Sequence, residues 1–233
     1  MAEPDRMAAP APSAPAASAS EPERDGFREH RDLLAKVDAL LPDLARIGDG
    51  VCGALADGGH VYTFGNGGSA ADAQHLAAEL VGRFRRDRRP LPAVALSTDP
   101  SVVTCIANDY GYEDIFGRQV AALARKGDVV IGFTTSGRSP NVTNGLAEAR
   151  RAGATTVLFT GGDGGDAIGE SDLALVVPSS STARIQEIHL LMLHLLSERV
   201  DRWAAGEGGS SEADAGALTE AAATTPTKTS AQP

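Results

Sequence analysis

Phe64-Gly65-Asn66-Gly67-Gly68-Ser69-Ala70-Ala71-Asp72-Ala73-Gln74-His75-Leu76-Ala77-Ala78-Glu79 is the stretch that decides how this chain is read. Val61, Tyr62 and Phe64 form a β-prone run that ends among Gly65, Gly67 and Gly68. Glycine lets the backbone turn sharply and approach a ligand with no Cβ in the way. Ser69 is the expected N-cap, and Ala70 to Leu80 is dense in strong helix formers. His75 and Glu79 are four apart, so an imidazole and a carboxylate share one face of that helix. Strand, backbone-lined anion site and acid/base or metal pair follow one another as in an active site.

Outward from this motif the pattern repeats. Pro92 to Leu96, Val129 to Phe133, Thr155 to Phe159 and Leu173 to Val177 read as four further strands. Helices are expected at Ser101–Ala107, Ile115–Leu123, Val142–Ala152 and Thr182–Ala204. The run Val129 to Phe133 is apolar throughout, which suits a parallel strand buried on both faces. Alternation of strand and helix therefore predicts an α/β fold, a five-stranded parallel sheet sandwiched by helices. Before the first strand, Leu33, Leu34, Val37, Leu40, Leu41, Leu44 and Ile47 recur at threes and fours. They mark an amphipathic helix that covers the sheet or packs against another subunit, with Pro42 expected to kink or break it. Residues 1–26, rich in Ala, Pro and Ser, and 206–233, rich in Gly, Ser, Ala and Thr, are expected to be disordered tails around one domain at 27–205.

Two loops carry further chemistry. Thr134-Thr135-Ser136-Gly137-Arg138-Ser139-Pro140 clusters hydroxyls ahead of a helix, with Ser139 placed to cap it and Pro140 at its first position. Hydroxyls and free N–H groups at a helix N-terminus form a phosphate site, to which Arg138 adds charge. Gly161-Gly162-Asp163-Gly164-Gly165 reads as a flexible connection. Arg83, Arg85, Arg86, Arg88 and Arg89 read as a solvated helix end, with Arg83 alone a candidate anion contact.

Composition narrows the class. Lys+Arg 21 against Asp+Glu 31 gives 21 − 31 = −10, an unfavourable balance for binding nucleic acid. Cys52 and Cys105 match no metal spacing and are read as reduced core thiols. With no apolar run long enough for a membrane span and no secretion-type start, a cytoplasmic protein is expected. Gly65-x-Gly67-x-x-Ala70 fits a loose dinucleotide fingerprint, but that reading leaves His75, Glu79 and the hydroxyl loop without a role.

Taken together, Gly65 to Ser69, His75-x-x-x-Glu79, Asn108-Asp109-Tyr110-Gly111, the hydroxyl loop and Arg184-Ile185-Gln186-Glu187-Ile188-His189 resemble the sugar-isomerase (SIS) domain family, most closely its phosphoheptose isomerases. The likeness spans about Phe27 to Arg202, with the motifs in matching order and spacing. It implies aldose-ketose isomerisation of D-sedoheptulose 7-phosphate and D-glycero-D-manno-heptose 7-phosphate through an enediol, in a homotetramer with sites at subunit interfaces. By position, the resemblance makes Glu79 the base and His194 its acid/base partner. It implies one Zn2+ per subunit on His75, Glu79, Gln186 and His194. Substrate contacts fall on Asn66, Gly67, Gly68, Glu79, Asn108, Asp109, Thr134, Thr135, Ser136, Ser139 and Gln186. Ala70 and Arg138 stand where some relatives carry histidine and asparagine. By helical spacing alone His189, three residues from Gln186, is the better facial partner for it, or else a packed helix histidine. His194 then requires an irregular helix start, a ligand lying between, or two chains. The alternative function is a non-catalytic SIS protein that binds a phosphosugar as a regulator or assembly factor.

Overall fold

The computed structural model describes residues 20–206. In chain order these form α1 (Glu21–Leu34), α2 (Leu41–Ala56), β1 (Val61–Gly65), α3 (Gly68–Val81), β2 (Ala93–Ala95) and α4 (Pro100–Asp109). There follow α5 (Gly117–Leu123), β3 (Val129–Phe133), α6 (Pro140–Ala152), β4 (Thr155–Gly161), β5 (Leu173–Val177) and α7 (Thr182–Ala204). The five strands make one sheet in the order β2-β1-β3-β4-β5, and every pairing is parallel.

Strand side chains alternate between two cores, as the two-residue pleat requires. Val61, Val129, Ile131, Phe133, Val157, Phe159, Leu175 and Val177 face one layer with α1, α2, α3 and α7. Tyr62, Phe64, Val130 and Leu158 face the other, with α4, α5 and α6. Burial on both faces explains the continuously apolar strands. Because the chain steps from β1 to β2 on one side and then returns to β3 on the other, the β1/β3 boundary is a topological switch point, where α/β sheets bind ligands. Gly65 pairs with Phe133 there, so the glycine turn and the hydroxyl loop leave the sheet side by side.

Several expectations change. The long first helix is broken, not kinked: α1 ends at Leu34, a 3-10 turn spans Val37–Leu40, and Pro42 lies in the first turn of α2. Proline suits that place because its missing N–H would be unpaired in a first turn anyway. α1 begins at Glu21, inside the stretch read as tail, with the Ser20 N–H donating to the Glu23 carboxylate. The rest of the expected N-terminal tail and residues 207–233 lie outside the described residues. Gly67, at φ 57°, caps α3 in place of Ser69, which is buried in the first turn. Cys52 is buried and its thiol is pushed up to about 11 by burial, but Cys105 is exposed on α4.

His189 is a core residue. Its Nε2 donates to the Thr160 carbonyl at 3.1 Å, so Nδ1 is unprotonated, and Nδ1 has no partner. The rings of Phe133 and Phe159 lie edge-on at 6.1 and 5.9 Å. Burial pushes the imidazole down to about 4, against the opposing effect of the Thr160 hydrogen bond. The unfolded chain protonates His189 near its ordinary 6.5, while the native state resists until about 4. Stability from this residue is therefore full above pH 6.5 and lost as pH falls towards 4, by at most about 1.4 kcal/mol per unit. Urea unfolding across this window should show a weaker loss for His189→Gln than for the wild type.

Candidate active site

α3 and α7 pack side by side on one face of the sheet and run in the same direction. At their starts Gly68 abuts Gln186: a Cβ built on Gly68 would lie 2.5 Å from Gln186 Nε2. Two turns on, His75 meets His194. His75 Nε2 lies 3.0 Å from Glu79 Oε1 and 3.3 Å from His194 Nε2. One ligand atom from each of His75, Glu79 and His194 falls within 4.8 Å of the others. The i,i+4 spacing on α3 delivers the first two, and the α3/α7 pairing delivers the third. Phe84, just past α3, stacks on the His194 ring at 5.5 Å and 26°.

The donor set fits a divalent metal. Two histidines and one carboxylate with a further position open is a catalytic zinc arrangement. Nitrogen donors about 2.0–2.1 Å from a tetrahedral ion stand about 3.3 Å apart, and the two Nε2 atoms are 3.3 Å apart. Facing imidazole nitrogens at that separation need either one proton or one cation between them. Gln186 is not at this cluster. α7 is regular helix from Thr182 to Ala204, so the eight residues from Gln186 to His194 put about 12 Å of axis between them. An irregular helix start is thereby removed as an explanation.

At the switch point a second constellation forms. Asn66 and Asn141 bond reciprocally, Nδ2 to Oδ1, at 2.9 and 2.8 Å, and Tyr112 Oη donates to Asn66 Oδ1 at 3.1 Å. This fixes the Asn66 amide beside the exposed Gly67 and Gly68. In the hydroxyl loop Thr134 Oγ1 accepts from the Gly137 N–H at 3.2 Å and lies 3.4 Å from Ser139 Oγ. Ser139 holds the N-cap position of α6, but its hydroxyl bonds no helix amide. Thr135 and Ser136 line the same loop, half-buried and exposed.

Three sequence expectations are corrected. The glycine run 161–165 is a tightly packed support: a Cβ on Gly137 would lie 1.8 Å from the Gly164 carbonyl, and the Ala167 N–H donates to the Gly137 carbonyl at 3.0 Å. Arg138 turns to Asp163, Nη2 to Oδ2 at 2.6 Å, and its guanidinium holds that carboxyl down at about 2. The arginine run is not wholly solvated, because the Arg88 side chain is 2% exposed. Asn108 and Asp109 sit together, exposed, at the end of α4, Nδ2 to Oδ1 at 2.8 Å.

Sequence reading missed Asn141, Phe84 and Asp72. Asp72 lies one turn before His75 on α3, buried, with Oδ2 unpartnered. Burial pushes its carboxyl up to about 6, against the pull of His75. An aspartate in a small-residue helix start is the only sequence signal, and it also suits an ordinary first turn.

The fold and its switch-point loops define a sugar-isomerase domain: the family model described as SIS domain matches residues 27–161. A phosphoheptose isomerase of Aquifex aeolicus is 52% identical over 176 residues, 75% of this chain and 92% of the relative. The structures of phosphoheptose isomerases from Neisseria gonorrhoeae and Francisella tularensis superpose with TM-scores of 0.74 and 0.75 at 38% and 36% identity. They cover 78% and 77% of this chain and 97% and 96% of their own. The chain therefore belongs to the phosphoheptose isomerase family of SIS-domain proteins, and it is an isomerase.

Gly68→Ala should displace Gln186 without unfolding the protein, since the obstructing atom ends a flexible side chain. A misplacement of about 1 Å in a site costs up to about 10²-fold. The kcat/KM for a heptose phosphate should fall by that order with Tm within a few degrees; unchanged kinetics would remove Gln186 from the site.

Proposed function

We propose that this protein interconverts D-sedoheptulose 7-phosphate and D-glycero-D-manno-heptose 7-phosphate, the first step towards a nucleotide-activated heptose, in the cytoplasm. The observation that carries this is the convergence of His75, Glu79 and His194, an acid/base set on the α3/α7 seam. Glu79 takes the proton from one of C1 and C2 and returns it to the other, giving an enediol between. His194 exchanges the hydroxyl and carbonyl oxygen protons. The hydroxyls of Thr134, Thr135, Ser136 and Ser139, gathered at the positive end of α6, hold the phosphate. Asn66, held by Asn141, and the open backbone of Gly67 and Gly68 face the sugar, with Asn108 and Asp109 as further contacts. His75, Glu79 and His194 would hold Zn2+, with Gln186 the further ligand that the resemblance implies, and the ion would supply Lewis-acid polarisation of the carbonyl.

Distance favours sites shared between copies of the chain. The eleven residues from Gly68 to Glu79 span about 16 Å of helix, while an extended heptose phosphate measures about 10 Å from C1 to phosphorus. A substrate that ends against Gly68 therefore falls short of the same chain's Glu79 along the helix axis. A second copy that brings its Gln186 and hydroxyl loop to the His75 cluster removes both this mismatch and the 12 Å gap on α7. Exposed Leu34, Leu41 and Leu190 on the helices of that face supply apolar surface for a homotetramer. Among the described residues no helix is long and apolar enough to cross a membrane.

Purified protein incubated with sedoheptulose 7-phosphate should yield the aldoheptose, followed by NMR. No conversion, with the sugar still bound, would favour a non-catalytic binding protein. Ser136→Ala should raise KM about tenfold and leave kcat within about twofold, because phosphate contacts are shared by ground and transition states. A fall in kcat alone would place the loop at the reacting carbons.

A further inference from the structure

The arginine-rich segment after α3 contains a buried ion pair that the reaction as described does not use. Arg88 Nε donates to Asp201 Oδ1 at 2.8 Å, and both side chains are 2% exposed. The other guanidinium nitrogens go to the end of α3. Nη2 donates to the Glu79 carbonyl at 2.6 Å, and Nη1 donates to the carbonyls of Leu80 and Gly82 at 2.8 and 3.1 Å. Asp201 Oδ2 accepts the N–H groups of Arg85 and Arg86 at 2.7 and 3.0 Å. Burial pushes the Asp201 carboxyl up, but these amides and the guanidinium outweigh it and hold it below its ordinary value.

Each partner belongs to a segment that carries the reacting groups. Glu79 is bonded through its own carbonyl. Asp201 is seven residues, two turns, beyond His194 on the same face of α7. Phe84, whose ring covers His194, lies between Gly82 and Arg85, both tied into the pair. A buried ion pair is weak evidence for stability, because desolvation offsets the Coulomb gain, but it can fix register between elements. Register is what the cluster needs: sliding α7 by one residue along α3 moves His194 about 1.5 Å from His75.

We propose that Arg88 and Asp201 are positioning residues, a latch that sets the register of α3 against α7 and holds Phe84 on His194. The proposal rests on the reading of His75, Glu79 and His194 as the reacting centre. It assigns to the buried pair the alignment of that centre, beyond any contribution to stability.

The full chain is compared with Arg88→Lys, Asp201→Asn and Leu146→Val, the last a control that loosens the opposite core. Three readouts are taken: the ring-current shift of the His194 imidazole by NMR, Co2+ affinity by absorbance, and kcat and KM for sedoheptulose 7-phosphate. Both latch variants should lose the His194 shift, bind Co2+ about 10–100-fold more weakly, and lose kcat at least about tenfold with KM within about twofold. Leu146→Val should lower Tm and leave all three unchanged. If a single exchange does not fold, Arg88→Met with Asp201→Leu removes both buried charges together, and it should show the same losses. An unchanged His194 shift and Co2+ affinity in a folded latch variant overturns the proposal. If the wild type fails to convert the sugar, the proposed reaction falls, and the His194 shift alone decides the latch.

Discussion

The packing of α3 against α7, in one direction and one register, is the constraint on which the site depends. Neither helix alone holds the cluster of His75, Glu79 and His194. α3 contributes His75 and Glu79 by the i,i+4 rule, and α7 contributes His194 only because Ile185, Ile188, Met192, Leu193 and Leu196 bury its other faces in the core. The apolar seam makes the pairing favourable. Hydrophobic contact is non-directional, however, and does not by itself choose one register among those a residue apart. The contacts at the two ends are more particular: Gln186 lies close against the bare Gly68 backbone at the start, and the buried Arg88–Asp201 pair, the latch proposed above, stands at the finish.

The sheet supplies the second requirement, the pair of loops proposed to hold the phosphate. Because β1 and β3 are neighbours, the glycine turn and the hydroxyl loop emerge together, and Asn66 and Asn141 tie them through paired amides. Close packing of Gly137 on Gly164 and Gly165 keeps the loop rigid enough to present amides and hydroxyls without a side chain in the way. The proposed binding groups thus sit at the carboxyl ends of the strands, and the proposed acid/base groups sit well down the flank of the same sheet. That separation is what the proposed association of several copies would bridge.

Most of the fold was legible because burial on both faces leaves apolar strands, and turn residues punctuate them. Proline at position 42 marked the break but not its place, since sequence alone does not tell a first turn from an interior one. At the site, the glycine turn, His75, Glu79 and the hydroxyl loop could be read locally. His194 could not, because its partner His75 is 119 residues away and its spacing from Gln186 argues against a shared ligand; only the resemblance pointed to it. Arg88 was hidden among four other arginines, and its burial follows from Asp201, 113 residues on. The glycine run at 161–165 read as loose because its packing partner, Gly137, offers no side chain to signal contact.

The central claim is that Glu79, on the α3/α7 seam, moves the proton between C1 and C2. The direct measurement is exchange of hydrogen at those carbons of sedoheptulose 7-phosphate with deuterated solvent, catalysed by wild type and by Glu79→Gln. Glutamine keeps the volume and hydrogen-bonding capacity of glutamate but cannot take the proton, and loss of a general base typically costs about 10²–10⁴ in rate. Wild type should incorporate solvent deuterium during turnover, because the proton held on the Glu79 carboxyl exchanges with water before some of its returns, and the folded, metal-loaded variant should incorporate it more slowly by that order. Exchange at the wild-type rate in that variant would contradict the account and move the base to His75 or His194.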